Sequence, residues 1–327
     1  MNASDVLKRA GVVTGVAAGV LGAAYGAERA VVARMRHRED PDADSPLVPS
    51  FDEARQITAH DGGILHVISR GEGPPVLFAH GVTLSSRLWS KQFDSFPAAG
   101  FKAIAFDSRG HGQSTVGESG HSIDNLADDI RTLLETLDLH GATLVGHSMG
   151  GMAIQAFTIR HPDIAHDRTC GMVLMSTAAR MRMSDARRTR NTLERLAGVT
   201  PDVGLLLRQK NLGFLIARVG FGEDPNPSHV EATRQMLASC SRPTLRDAGR
   251  ALLSLDLRGG LRNVTLPTLV LAGALDAVTP AREGREIADL VPGARFEEFA
   301  GAGHMLMYER SEEVDKLIIE FARECLV

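Results

Sequence analysis

Five short, uninterrupted apolar runs, Val76–Ala79, Ala103–Phe106, Ala142–Val145, Met172–Met175 and Thr268–Leu271, constrain this chain more than any other feature. A strand that is apolar at every position rather than at alternate ones is buried on both faces, which requires helices above and below a mostly parallel sheet. The sequence between the runs supplies such helices. Over Ser122–Leu139, the residues Ile123, Leu126, Ile130, Leu133, Leu134 and Leu137 fall on one face at helical spacing with charged residues opposite, and Ser122 stands where an N-cap is needed. Ile64–Ser69 alternates instead and suits an early antiparallel strand. The expected fold is α/β, a mostly parallel central sheet with helices on both faces.

The rhythm breaks between about Ala178 and Arg262, a stretch rich in Arg and Leu with no strand pattern. Ser184–Ala197, Pro201–Val219, Ser228–Ser239 and Pro243–Leu255 read as helices, and a helical insertion between two sheet strands forms a cap over the sheet (178–262). Its apolar residues Leu205–Leu207, Leu212, Phe214, Leu215, Ile216 and Phe221 either line an acyl tunnel or seat the cap, with seating the better reading.

The chemistry concentrates at Gly146-His147-Ser148-Met149-Gly150, which follows the run Ala142–Val145 and opens the apolar helical run Met152–Ile159. A serine at a sharp strand-to-helix turn is held at the sheet's carboxyl edge, where the helix N-terminus favours developing negative charge. Serine is a weak nucleophile at neutral pH, so a base must reach it and a third group must orient that base. Of the twelve histidines only His304, in Gly301-Ala302-Gly303-His304, lies beyond the last strands. Asp276 ends the strand-like stretch Leu269–Ala272 and is the expected acid; Asp256, in the last turn of the cap, is a distant second. For an oxyanion, the backbone N–H of Met149 and that of Val82, in the loop His80-Gly81-Val82-Thr83, are the expected donors. His80, His111 and His147, with Asp107 and Arg109 of the Asp107–Ser114 loop, read as loop packing rather than a second site.

Over approximately residues 51–326 the chain resembles the α/β-hydrolase superfamily, through His80-Gly81, Asp107-Ser108-Arg109-Gly110-His111-Gly112-Gln113-Ser114, Gly146-His147-Ser148-Met149-Gly150-Gly151, Gly273-Ala274-Leu275-Asp276 and Gly301-Ala302-Gly303-His304. The set is similar to the capped branch of esterases, lipases, cofactor-free haloperoxidases and carbon–carbon bond hydrolases. The resemblance implies an acyl-enzyme on Ser148, with carboxylic esters as the first substrate class and a hydrophobic acyl group the natural choice. Perhydrolase or haloperoxidase chemistry and carbon–carbon hydrolysis on the same triad are the alternatives, and a non-catalytic binding protein is the remaining one. Serine at 148 disfavours the epoxide and haloalkane chemistry of relatives with aspartate there.

A net charge of −4 argues against a nucleic-acid partner, which would need clustered Lys and Arg. Neither a metal nor an organic cofactor is implied, since HExxH, clustered Cys/His ligands and a GxGxxG after a strand are all missing from the sequence. Cys170, Cys240 and Cys325 fit no disulfide framework.

The N-terminus differs from the rest. Ala10–Ala27 carries no charge and is flanked by Lys8 and Arg9 before and Arg29, Arg34, Arg36 and Arg38 after, while Gly11, Gly15, Gly19, Gly22 and Gly26 line a small-residue stripe. Its length just reaches the roughly 17–25 residues of a membrane span. It reads first as a membrane anchor, then as an interfacial or packed helix, then as a cleaved signal, and the larger basic flank on the enzyme side leans toward a cytoplasmic catalytic domain. Arg38–Pro49, charged and proline-rich, reads as a linker, so that residues 1–50 form anchor and linker and residues 51–327 the catalytic domain.

Overall fold

A computed structural model describes residues 29–45, 47–181 and 207–326 of the chain. The strands are β1 (Glu53–Thr58), β2 (Ile64–Arg70), β3 (Pro75–Ala79), β4 (Lys102–Phe106), β5 (Ala142–His147), β6 (Thr169–Met175), β7 (Thr268–Gly273) and β8 (Arg295–Phe299), in one sheet of order β1-β2-β4-β3-β5-β6-β7-β8. β2 pairs antiparallel with β1 and with β4, and all other neighbours are parallel. Each continuous apolar run became a strand. β1 carries no such run: of EARQIT only Ile57 is buried, as befits an edge strand, and an apolar-run criterion passes over it.

Beyond residue 50 the described α-helices are α1 (Gln92–Ala98), α2 (Ile123–Thr136), α3 (Met149–Arg160), α4 (Pro162–Arg168), α5 (Lys210–Arg218), α6 (Pro227–Ser239), α7 (Arg242–Leu253), α8 (Arg258–Leu261), α9 (Ala281–Leu290), α10 (Leu306–Glu309) and α11 (Ser311–Cys325). Ser122 caps α2, accepting from Asn125 N–H at 2.9 Å. Alternation along the strands splits the interior into two cores. Leu77, Ile104, Leu144, Met172 and Val270 meet Leu126, Ile130, Phe157 and Ile287 on one face, while Val76, Phe78, Val145, Val173 and Leu269 meet Phe93, Phe96, Ile318 and Phe321 on the other. Each large apolar side chain buried in this way contributes about 1.5–3 kcal/mol.

Between β6 and β7 the described residues hold α5 to α8 and no strand, only the isolated bridge Arg180–Asp256. α6 and α7 lie where Ser228–Ser239 and Pro243–Leu255 were expected, the described part of Pro201–Val219 holds α5, and Ser184–Ala197 lies outside the described residues. Leu207, Phe214 and Phe221 are buried, and Phe214 and Phe221 join the second core, so these residues seat the insertion on the sheet.

The stretch expected to be a linker is docked instead. Residues 29–36 are helical, and Val32 and Leu47 are buried. Asp40 accepts from Ser228 N–H at 2.7 Å at the start of α6, and Asp42 accepts from Lys91 at 2.8 Å, Asn226 at 3.1 Å and His229 at 2.8 Å. The acidic residues that signalled solvation find the open N–H groups of a helix N-terminus and neighbouring donors. The expected anchor over residues 10–27 lies outside the described residues; among those described, no helix is long and apolar enough to cross a membrane.

Candidate active site

The strand order places a crevice. β3 leads to β4 on one side of the sheet and β5 leads to β6 on the other, so the chain diverges at the carboxyl ends of β3 and β5, where such sheets bind ligands. Val82 follows β3 and Ser148 follows β5.

Ser148 sits between β5 and α3 at φ 52°, ψ −117°, a backbone conformation costing about 1–3 kcal/mol for a residue with a Cβ. The surroundings hold it there. Its N–H donates to Met175 O at 3.0 Å, and its carbonyl accepts from Thr177 Oγ1 at 2.7 Å and Met152 N–H at 3.1 Å. Gly150 is required by close approach, since a Cβ there would stand 2.2 Å from Ala79 O. The turn therefore presses against the end of β3, and a methyl on Gly81 would lie 3.1 Å from Ser148 Cβ.

Asp276 and His304 come together, with Nδ1 of His304 2.8 Å from Asp276 Oδ2 and both residues buried. Asp276 Oδ1 accepts from Val278 N–H and Thr279 N–H, each at 2.8 Å, and Thr279 Oγ1 donates to Oδ2 at 2.9 Å. Burial pushes the Asp276 carboxyl up, but the bonds from His304, Thr279 and Val278 outweigh it and hold the group below its ordinary value. An ionised partner fixes the proton on Nδ1 and leaves the Nε2 lone pair free. Asp256 takes no part: it bonds to Arg258 at 2.7 and 2.9 Å.

Ser148 and His304 are brought to one place without a direct bond. The ring of His147, next to the serine, is 4.6 Å from that of His304, and its Nε2 donates to His304 O at 3.0 Å. Ser148 Oγ and His304 Nε2 have no hydrogen-bond partner among the described residues, which leaves both available to a third molecule. Such contacts often close only with substrate present. The N–H groups of Val82 and Met149 likewise have no acceptor among the described residues, and the Met149 group opens α3 with the helix dipole behind it.

His80 and His111 belong to the loops beside the site. His80 is fully buried, its Nε2 accepting from Ser108 N–H at 2.9 Å while Nδ1 donates to Gly81 O at 2.7 Å, and burial lowers its pKa. His111 is held down to about 3 by burial and by His80 beside it. Asp107 joins loops by accepting from Ser86 N–H at 2.7 Å and Gln113 N–H at 2.8 Å. Among the described residues no group of three or more His, Cys, Asp or Glu side chains is placed to hold a metal ion. A cavity of about 850 Å³ lies between α7 and the 116–124 segment, and none of Ser148, Asp276 and His304 lines it.

Sequence reasoning missed Thr279, which bonds the acid and stands 3.2 Å from His304 Nδ1. The spacing Asp276-Ala277-Val278-Thr279 was the available signal, since an aspartate followed by N–H groups two and three residues on closes an Asx turn.

Comparison with known proteins agrees with this architecture. AB hydrolase superfamily protein YisY of Bacillus subtilis (strain 168) is 29% identical over 263 residues, 79% of this chain and 95% of that protein. Non-heme chloroperoxidase CPO-A1 of Kitasatospora aureofaciens is 29% identical over 281 residues, 81% of this chain and 98% of its own. A thermophilic esterase from Thermogutta terrifontis superimposes with a TM-score of 0.70 at 27% identity, covering 84% of this chain and 99% of that one. The alpha/beta hydrolase family model spans residues 76–317, from the first parallel strand into the helix beyond His304. With the sheet order, the strained serine turn and that match in agreement, the chain belongs to the alpha/beta hydrolase family.

Proposed function

We propose that this chain is a serine hydrolase that cleaves carboxylic esters through an acyl-enzyme on Ser148. One observation carries the reading: a strained serine turn with two unpaired backbone N–H groups faces a histidine whose Nδ1 is fixed on a buried carboxylate. Ser148 Oγ attacks the acyl carbon while His304 Nε2 takes its proton, and Asp276 stabilises the imidazolium. The oxyanion accepts from Val82 N–H and Met149 N–H, donors of this kind being worth about 3–4 kcal/mol each. His304 returns the proton to the leaving alkoxide, and water repeats the sequence on the acyl-enzyme.

The acyl group is hydrophobic in this reading. Leu275 and Val278 flank the acid and are 47% and 55% exposed, and Ile216 and Val219, just before the Gly220 carbonyl that accepts from His304 N–H, are 38% and 61% exposed. Residues 10–27 would hold the enzyme near lipid on the cytoplasmic side; carbonate washing of membranes should retain the full chain and release a chain starting at residue 29. The central test is labelling by a fluorophosphonate probe, expected at Ser148 and lost in Ser148→Ala, followed by aryl esters of graded length. Faster hydrolysis of acetate than of medium-chain esters would overturn the acyl preference.

The likeness to a non-heme chloroperoxidase supports a second reading, with peroxide rather than water taking the acyl group from Ser148. Peracid formation outrunning ester hydrolysis at equal ester concentration would select it.

A further inference from the structure

Glu309 lies outside the proposed triad, yet its carboxylate bonds to the residues on either side of the base. Oε1 accepts from Gly303 N–H at 3.0 Å and Met305 N–H at 3.2 Å, the residues on either side of His304. Oε2 accepts from Gly303 N–H at 3.1 Å and, at 2.6 Å, from Gly222 N–H in the turn between α5 and α6. The same two segments are bonded directly, His304 N–H to Gly220 O at 2.8 Å and Glu223 N–H to Gly301 O at 2.9 Å. They also meet backbone to backbone, a Cβ on Gly303 falling 2.5 Å from Gly222 N.

A glutamate accepting from the residue that precedes α10 would by itself be a capping device for a short helix. The bonds to Gly303 and Gly222 exceed that need. Burial pushes the Glu309 carboxyl above its ordinary value despite the N–H groups aimed at it, so folding alone gains little from placing a carboxylate there.

We propose that Glu309 is a positioning residue that fixes the His304 loop and fastens it to the insertion, so that the seating of α5 and α6 sets where His304 Nε2 stands relative to Ser148. The inference rests on the serine-hydrolase reading above. Its chemistry is geometric: a histidine displaced by about 1 Å can lose as much as 100-fold in rate.

The test compares wild type, Glu309→Gln, Glu309→Asp and Ser148→Ala on a medium-chain aryl ester and with a fluorophosphonate probe. Glu309→Gln keeps the size of the side chain but turns an N–H donor toward the loop's own N–H groups. It is expected to lower kcat about tenfold or more, with KM changed far less and with labelling of Ser148 slowed in parallel. Glu309→Asp, which keeps the charge one methylene short, should recover part of that loss. Full kcat in a folded Glu309→Gln, or equal losses in kcat and in the fraction folded, would overturn the inference while wild type still labels at Ser148. Should Glu309→Gln fail to fold, an unimpaired kcat in Glu309→Asp overturns it equally. Undiminished activity in Ser148→Ala would instead remove the reading on which it rests.

Discussion

Two buried polar clusters in this molecule use aspartate to opposite ends. Arg109, 1% exposed at its side chain, donates to Asp129 at 2.6 and 2.8 Å, to Asp61 at 2.8 Å and to Gly120 O at 2.8 Å. Guanidinium and carboxylates are matched by one another and by nearby backbone groups, and the cluster ties the β4 exit to α2 and the β1–β2 turn. Asp276 is as fully bonded as Asp129, but the histidine it holds ends in a nitrogen with no partner, beside a serine oxygen with none and two open N–H groups. The structural cluster closes on itself; the one proposed to react is closed on all sides but one.

Removing the open end should cost activity and nothing else. Ser148→Ala is expected to lower kcat on an aryl ester by at least about 10⁴-fold, with the melting temperature unchanged because every bond at Ser148 is made by its backbone. Residual turnover of a few per cent would break the contrast at its root. Asp276→Asn should lose nearly as much, about 10³–10⁴-fold, through the wrong histidine tautomer. It should also lose an acid-dependent part of the stability. Since the native Asp276 carboxyl is held below its unfolded value, its contribution is fully present above that value, about pH 4, and disappears as pH falls through the native one. Denaturant melts from pH 3 to 7 should therefore show a shallower acid slope in Asp276→Asn than in wild type.

The closed cluster should respond the other way. Arg109→Met strands two buried carboxylates, a change that typically costs about 3–5 kcal/mol, yet whatever remains folded should turn over at the wild-type kcat. Urea midpoints and active-site titration separate the two quantities. A per-site kcat that falls with Arg109 would mean that the loop it braces also shapes the site.

How much of this was legible depends on which interactions a one-dimensional pattern can carry. The double-sided burial of the central strands is written as continuous apolar runs, so β3 to β7 were placed to within a few residues, and the Ser148 turn came with them because strand, glycine and helix are adjacent in the chain. Asp276 and His304 were chosen by elimination, each in the loop that follows a strand. What escaped was side-chain chemistry across long separations: Glu309 to Gly222, Thr279 against His304, and Asp40 at the start of α6. No periodicity encodes those bonds. A proline-rich acidic stretch looks the same whether it is solvated or docked, and only the donors that face it decide.

The docked stretch offers a third, weaker kind of cluster and the smallest effect. Asp42 is one-fifth exposed at its side chain and joins Lys91 from the sheet domain to Asn226 and His229 at the start of α6. Burial pushes its carboxyl up, but Lys91, Asn226 and His229 outweigh that and hold it below the ordinary value. Burial and Lys91 together lower the pKa of His229, so near neutrality the imidazole bonds to Asp42 as an uncharged donor and adds no ion pair. Only the Lys91 contact is fully charged, and partial solvation limits it. Asp42→Asn should therefore cost about 1 kcal/mol, read as a shift of the urea midpoint. Because Asp42 contacts neither the His304 loop nor Glu309, kcat on a small ester should stay within about twofold of wild type. A loss as large as that of Arg109→Met would place this strap among the closed clusters. A selective loss of kcat would mean that the start of α6 reaches the histidine through the same turn that Glu309 holds.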